Sequence, residues 1–188
     1  MLKLYGGARS RASIVQWYLE ELGVPYEFVK LDMQAGEHRQ PEFLALNPMG
    51  KVPVIQDGDF VLSESGAILL YLAQKYDASY PSTPEDQAVF TQWVLFANST
   101  LSTGVFMEST RDRETPILMG PLSDRLQQHP FMMGDTFSVV DVGVGSVLAY
   151  IPMMLPVDLS PYPGVVAYTQ RLAERPAFQK SILNRSVN

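Results

Sequence analysis

The chain contains no cysteine. That absence excludes a disulfide framework, a thiolate metal site and a cysteine nucleophile. Any thiol chemistry must therefore use a thiol carried by a ligand. Histidine is nearly as scarce, with His38 and His129 the only two, and two cannot assemble a histidine-rich metal centre. Positive charge is outweighed, 14 Lys and Arg against 20 Asp and Glu, for a net charge of -6. An acidic balance speaks against a nucleic-acid partner, which needs clustered Lys and Arg. Long apolar runs are missing too. Ala67 to Ala73 is among the longest, far short of what a bilayer requires. Met1 to Gly7 lacks the apolar core of a secretory leader. A soluble cytoplasmic protein without a membrane partner is expected.

What is present is ordinary globular material. Hydrophobic residues make up 46% of the 188 residues and charged ones 18%, enough apolar content to form a core and argue against disorder. Charge is uneven locally. Between Met1 and Leu19 the only charges are Lys3, Arg9 and Arg11, all positive, and the first acid is Glu20. That start reads either as a solvated loop or as a cationic pocket.

Met1 to Tyr5 alternates like a strand and is broken by Gly6-Gly7. Ile14, Val15, Tyr18, Leu19 and Leu22 share one helical face, with Gly23 as the stop and Pro25 beyond. Tyr26 to Leu31 reads as a second strand, which completes a βαβ unit. Gln34 to Gln40 is polar and loop-like, and Pro41 to Leu46 predicts a short helix. Two β runs flank Asp57-Gly58-Asp59, a hairpin signal. Ser65 to Tyr76 predicts a helix apolar nearly all round. The order β-α-β, connection, β-β-α is that of a thioredoxin-like domain. We therefore expect an α/β thioredoxin-like domain at 1–76, a linker at 77–84 and an all-helical domain at 85–188. The predicted helices of the second part are Glu85 to Met107, Ile117 to Gln128, Ser138 to Ile151 and Val165 to Glu174, the last ended by Pro176. Ser138 and Asp141 form a variant capping box, with Phe137 and Val142 at the positions of a hydrophobic staple. That device serves folding.

Four segments carry a family likeness. Asn47-Pro48-Met49-Gly50-Lys51-Val52-Pro53-Val54, followed by Leu62-Ser63-Glu64-Ser65-Gly66-Ala67-Ile68, resembles the signature of soluble glutathione transferases. Gly36 to Phe43 is similar to the phi and theta-like classes, and the capping box after Gly134-Asp135-Thr136 resembles the motif of the family's helical domain. The likeness covers almost the whole chain and extends to beta-like or compact cyanobacterial members.

The resemblance implies the glutathione transferase fold, glutathione as co-substrate with no other cofactor and no metal, and a homodimer. It implies a cis bond between Val52 and Pro53, leaving the Val52 backbone to pair with the cysteinyl part of glutathione like an added strand. Read alone, that proline is an edge or turn residue, trans by default. Ser65 would hold the γ-glutamyl carboxylate at a helix N-terminus through its hydroxyl, and Glu64 would partner ligand or subunit cations nearby; on its own, Ser65 reads as a helix N-cap. His38, Lys51 and Arg39 would face the glycyl carboxylate, or be solvated charges. The electrophile pocket would include Val105 and Phe106, which otherwise read as helix core.

The chemistry needs a thiolate. A free thiol is only about 3% ionised at neutral pH, and lowering its pKa by about two units takes about 2.7 kcal/mol. The family activates the thiol from the start of the first helix. Counting back from Leu22-Gly23, Arg11 stands where Cys-using relatives place cysteine, and Ser10 lies beside it. Both stay open, Ser10 as hydroxyl donor and Arg11 as stabilising cation. Tyr5 lies inside the strand and is the weaker choice, and Ser13 reads as a helix-start residue. The activity implied is conjugation of glutathione to hydrophobic electrophiles, a detoxification role. A glutathione-dependent isomerase of the maleylacetoacetate type and a non-catalytic interaction module are the alternatives.

Overall fold

β1 (Leu2–Gly6) lies at the inside of a four-stranded sheet, ordered β2-β1-β3-β4, in a computed structural model that describes residues 1–183. The final stretch of the expected helical domain, 184–188, lies outside the described residues. β2 (Tyr26–Lys30) runs parallel to β1, as the intervening helix α1 (Ala12–Leu22) allows. β3 (Val54–Asp57) is antiparallel to β1, and β4 (Phe60–Ser63) is antiparallel to β3. Asp57 pairs with Phe60, so the turn centres on Gly58-Asp59, with Gly58 at φ 64°.

Two compact units form, one from Met1–Ala78 with the stretch from Pro176, the other from Ser79–Arg175. In the first, α1 stops where predicted: Gly23 takes φ 63° and its N–H reaches the Glu20 and Leu19 carbonyls. Gly6 has to be glycine, because a Cβ there would overlap the Ala12 Cβ. Pro41–Leu44 forms the short helix α2, and α1 packs against α3 (Ser65–Tyr76) and α9 (Pro176–Ser181). Sequence reasoning ended the last helix at Pro176; the proline instead opens α9, where its missing N–H costs nothing. α9 seats Phe178 edge-on against Trp17, ring centroids 4.9 Å apart. Both side chains are fully buried.

The second unit is helical throughout its named elements. α4 (Pro84–Phe96) is capped by Thr83, whose hydroxyl accepts from the Asp86 N–H. The single helix expected over 85–107 is broken by a π-helical stretch at Ala97–Leu101 before α5 (Ser102–Phe106). Ser99 donates to the Leu95 carbonyl at 2.7 Å, the kind of back-bond that loosens a helix ladder. α6 (Glu108–Gln128) begins nine residues before the expected start. Pro116 and Pro121 lie inside it and obscure its period, while Arg111 anchors its first turns to the Val105 and Phe106 carbonyls.

α7 (Val139–Met154) is the core helix, buried continuously from Val139 to Ile151. Its capping box is present as read from the sequence. Asp141 does more than cap. Its carboxylate accepts from the Ser138 N–H and hydroxyl, the Met132 N–H and the Tyr168 hydroxyl. Burial pushes that carboxyl above the usual carboxylate range while these donors pull it back. Burial, with the neighbouring Asp141 charge, holds the Tyr168 phenol well above its ordinary value, so it stays a donor.

α8 (Pro163–Ala173) crosses α6 at Gly164, whose N–H donates to the Ser123 hydroxyl at 3.0 Å. A Cβ on Gly164 would overlap the Ser123 carbonyl oxygen and crowd the Gln127 nitrogen. Backbone faces backbone there and neither side can swing away. Gly164→Ala should lower stability by about 2 kcal/mol, measured as a lower urea midpoint at unchanged slope.

Candidate functional site

The sheet register assembles the site. Tyr5 pairs with Val54, and Val54 with Ser63. Gly6 pairs with Lys30 on the other side. Because β3 and β4 are antiparallel, the end of β1, the start of β3, and the ends of β4 and β2 all fall on one edge of the sheet. The Ser10–Arg11 turn, Val52-Pro53, Glu64-Ser65 and the segment carrying His38 and Arg39 all leave from that edge. The predicted glutathione residues are thereby brought to one region of the first unit.

The bond between Val52 and Pro53 is cis. The loop before it is braced by Asn47, which is buried and donates to the Lys51 carbonyl at 2.8 Å while accepting from the Met49 N–H. Sequence reasoning gave Asn47 no role. Its signal was available: an asparagine two residues before Met49 and four before Lys51 can bridge its own backbone in this way. A Cβ on Gly50 would stand 3.1 Å from the His38 carbonyl, which sets the Lys51 loop against the 3-10 turn Glu37–Arg39. His38 is half-buried, and its Nδ1 is a buried atom with no hydrogen-bond partner. An orphaned buried nitrogen calls for a partner the protein does not supply. Arg39 and Lys51 are exposed cations nearby in the fold.

Ser65 is the first residue of α3 rather than its cap, which corrects the capping reading. Glu64 holds the cap position, with φ 69° and ψ 115° and no side-chain capping bond. A non-glycine residue with positive φ is strained, and such strain gathers at ligand sites. The helix start therefore keeps N–H groups that the Glu64 side chain does not cap, the arrangement that receives an anion. Ser65 is buried at this same turn.

At the start of α1, Ser10 Oγ accepts from the Gly7 and Ala12 N–H groups, each at 3.3 Å. Arg11 occupies the N-cap position of α1 and is exposed. Its guanidinium adds a full charge to a helix end that already carries partial positive charge. Ser13 Oγ donates to the Ser10 carbonyl, which makes it a helix-start residue as read. Tyr5 spends its hydroxyl on Gln56 Oε1 at 3.0 Å, inside the sheet. In the second unit Val105 is fully buried and Phe106 half-buried, at the end of α5. Among the described residues no cluster of His, Cys, Asp and Glu suits a metal ion, and no helix is long and apolar enough to cross a membrane.

Comparison with known proteins gives two family matches: "Glutathione S-transferase, N-terminal domain" over residues 1–74 and "Glutathione S-transferase, C-terminal domain" over 94–182. The Escherichia coli K12 protein named glutathione S-transferase GstB is 30% identical, over 97% of this chain and 98% of that one. A second protein of that organism, named disulfide-bond oxidoreductase YfcG, is 29% identical over 97% and 95%. Among solved structures, a theta class glutathione S-transferase from Xanthomonas axonopodis pv. citri, with glutathione bound, superposes with a TM-score of 0.82 at 30% identity, covering 97% of each chain.

Proposed function

The chain belongs to the glutathione S-transferase family, and we propose from that premise that it transfers the sulfur of glutathione to a hydrophobic electrophile. The observation that supports this most is the single sheet edge from which the Ser10–Arg11 turn, the Val52-Pro53 bond and the strained Glu64 all depart. Glutathione lies extended along that edge. Its cysteinyl backbone pairs with Val52, its γ-glutamyl carboxylate meets the start of α3 at Ser65 while Glu64 faces the cationic part of the ligand, and its glycyl carboxylate meets His38, Lys51 and Arg39. Ser10 or Arg11 holds the sulfur as thiolate. That sulfur forms a bond to the electrophilic carbon, and the electron pair it displaces leaves with the departing group or is protonated on the product. The helical part from residue 85 contributes Val105 and Phe106 to the electrophile side, with the boundary at 77–84. The protein works in the cytoplasm as a homodimer; a light-scattering mass near the 21.0 kDa of one chain would contradict the dimer.

An equilibrium titration with glutathione, followed by product analysis, tests the activity. Saturable binding and a stable conjugate are expected. Recovered glutathione with a rearranged substrate would mean isomerisation. Conversion of glutathione to its disulfide at a substrate disulfide's expense would align the chain with the oxidoreductase relative. No saturable binding at millimolar ligand would leave a non-catalytic module.

A further inference from the structure

A cavity of about 270 Å³ lies between the turn after β1, the outer face of α1, the end of β2 and α9, all within the first unit. Its charged wall is made by Arg9, Lys30 and Lys180, and among the described residues lining it none is acidic. This stands out in a chain of net charge -6. Gln16 and Ser181 add hydrogen-bonding side chains, Ser10 and Ser13 border the cavity, and Phe28 forms an apolar edge. We propose that this cavity binds the oxyanion head of a small molecule, a phosphate or its ester, at a place that adjoins the glutathione site at Ser10 and lies apart from Val52, Glu64 and Ser65.

Three observations carry the proposal beyond the cluster of cations. Ser181 is 3% exposed, and its hydroxyl is a buried atom with no hydrogen-bond partner. A buried hydroxyl without a partner is a donor that an oxyanion satisfies as acceptor. Arg9 is held at φ 56°, a conformation that glycine takes without strain and arginine does not. The backbone gains nothing from an arginine there, so the side chain accounts for it. Lys180 donates to Glu20 Oε2 at 2.7 Å. That bond fixes its ammonium at the rim and leaves two further donors to offer. Glu20 itself is not among the residues that line the cavity. Both phosphate geometries, free or on an ester, suit a guanidinium with two ammonium groups.

Titration calorimetry at constant ionic strength, with inorganic phosphate as probe, tests the site. One saturable site per chain with a millimolar constant is expected. Lys30→Met and Arg9→Met should each weaken it by about tenfold. Both side chains are exposed, so the variants should fold, which unchanged circular dichroism would verify. Lys75→Met, outside this cavity, should bind like the parent. Phenyl phosphate in a second arm separates the sources: tighter binding than inorganic phosphate means an ester seated against Phe28, and equal binding means the free anion. Unsaturable heats would overturn the proposal, as would Lys30→Met binding as the parent does or Lys75→Met losing as much as Lys30→Met. The site does not rest on the glutathione reading. Phosphate binding without glutathione binding would keep the one and remove the other.

Discussion

Asp141→Ala should remove about 4 kcal/mol of stability, against about 1 kcal/mol for Ser138→Ala. The two residues share one capping box but not one fate. Losing the Ser138 hydroxyl takes away one weak acceptor, 3.3 Å from the Val140 N–H, and one long bond to the Asp141 carboxylate, also 3.3 Å. Losing the Asp141 carboxylate leaves the Met132 and Ser138 N–H groups and the Tyr168 hydroxyl without their acceptor, all in the interior. Each stranded buried donor costs about 1–3 kcal/mol. The loss also unties two parts of the second unit. Met132 sits in the turn that Arg125 and Arg171 hold by the Met132 and Pro130 carbonyls, and Tyr168 belongs to α8. Urea unfolding followed by tryptophan fluorescence reads both variants. If Asp141→Ala falls no further than Ser138→Ala, the carboxylate is only a cap.

Replacing the true thiol activator should raise the pKa of enzyme-bound glutathione by about two units, which takes it from mostly thiolate back to about 3% at neutral pH, about 25-fold less thiolate-driven turnover. Ser10→Ala and Arg11→Ala divide the possibilities. A hydroxyl that donates to the sulfur stabilises the thiolate through one short-range bond. A guanidinium at the start of α1 acts through charge, so its effect should shrink as salt is added. The pH titration of the bound thiolate absorbance, repeated at low and high ionic strength, identifies which residue is used. If both variants keep the parent curve, neither Ser10 nor Arg11 activates the sulfur.

The sheet was largely legible because its signals are local. Alternation at Met1 to Tyr5, the helical face ending at Gly23 and the glycine-centred hairpin each follow from backbone preferences of a few adjacent residues. The hairpin was offset by one residue, since pairing of Asp57 with Phe60 and not turn composition sets its centre. The long first helix of the second unit was not legible as broken, because the buried Ala97, Leu101 and Val105 still recur every four residues across the π-helical stretch. α6 was half hidden by Pro116 and Pro121, which read as stops. In the candidate site the residue types were readable and the geometry was not. Nothing in the identity of Glu64 announces a positive φ, and Ser65 looks like a cap until the chain is seen to place Glu64 there. The orphaned Nδ1 of His38 and hydroxyl of Ser181 are invisible to sequence altogether, since they depend on what is packed around them.

Trp17 has its edge-on partner on α9, which follows the whole of Ser79–Arg175 in the chain. During synthesis the first unit therefore waits, with an open flank on its first helix, until the ribosome has made everything in between. Its closure is governed by the order of translation as well as by packing, and a nascent chain halted before Phe178 should show Trp17 emission shifted to the red of the finished protein.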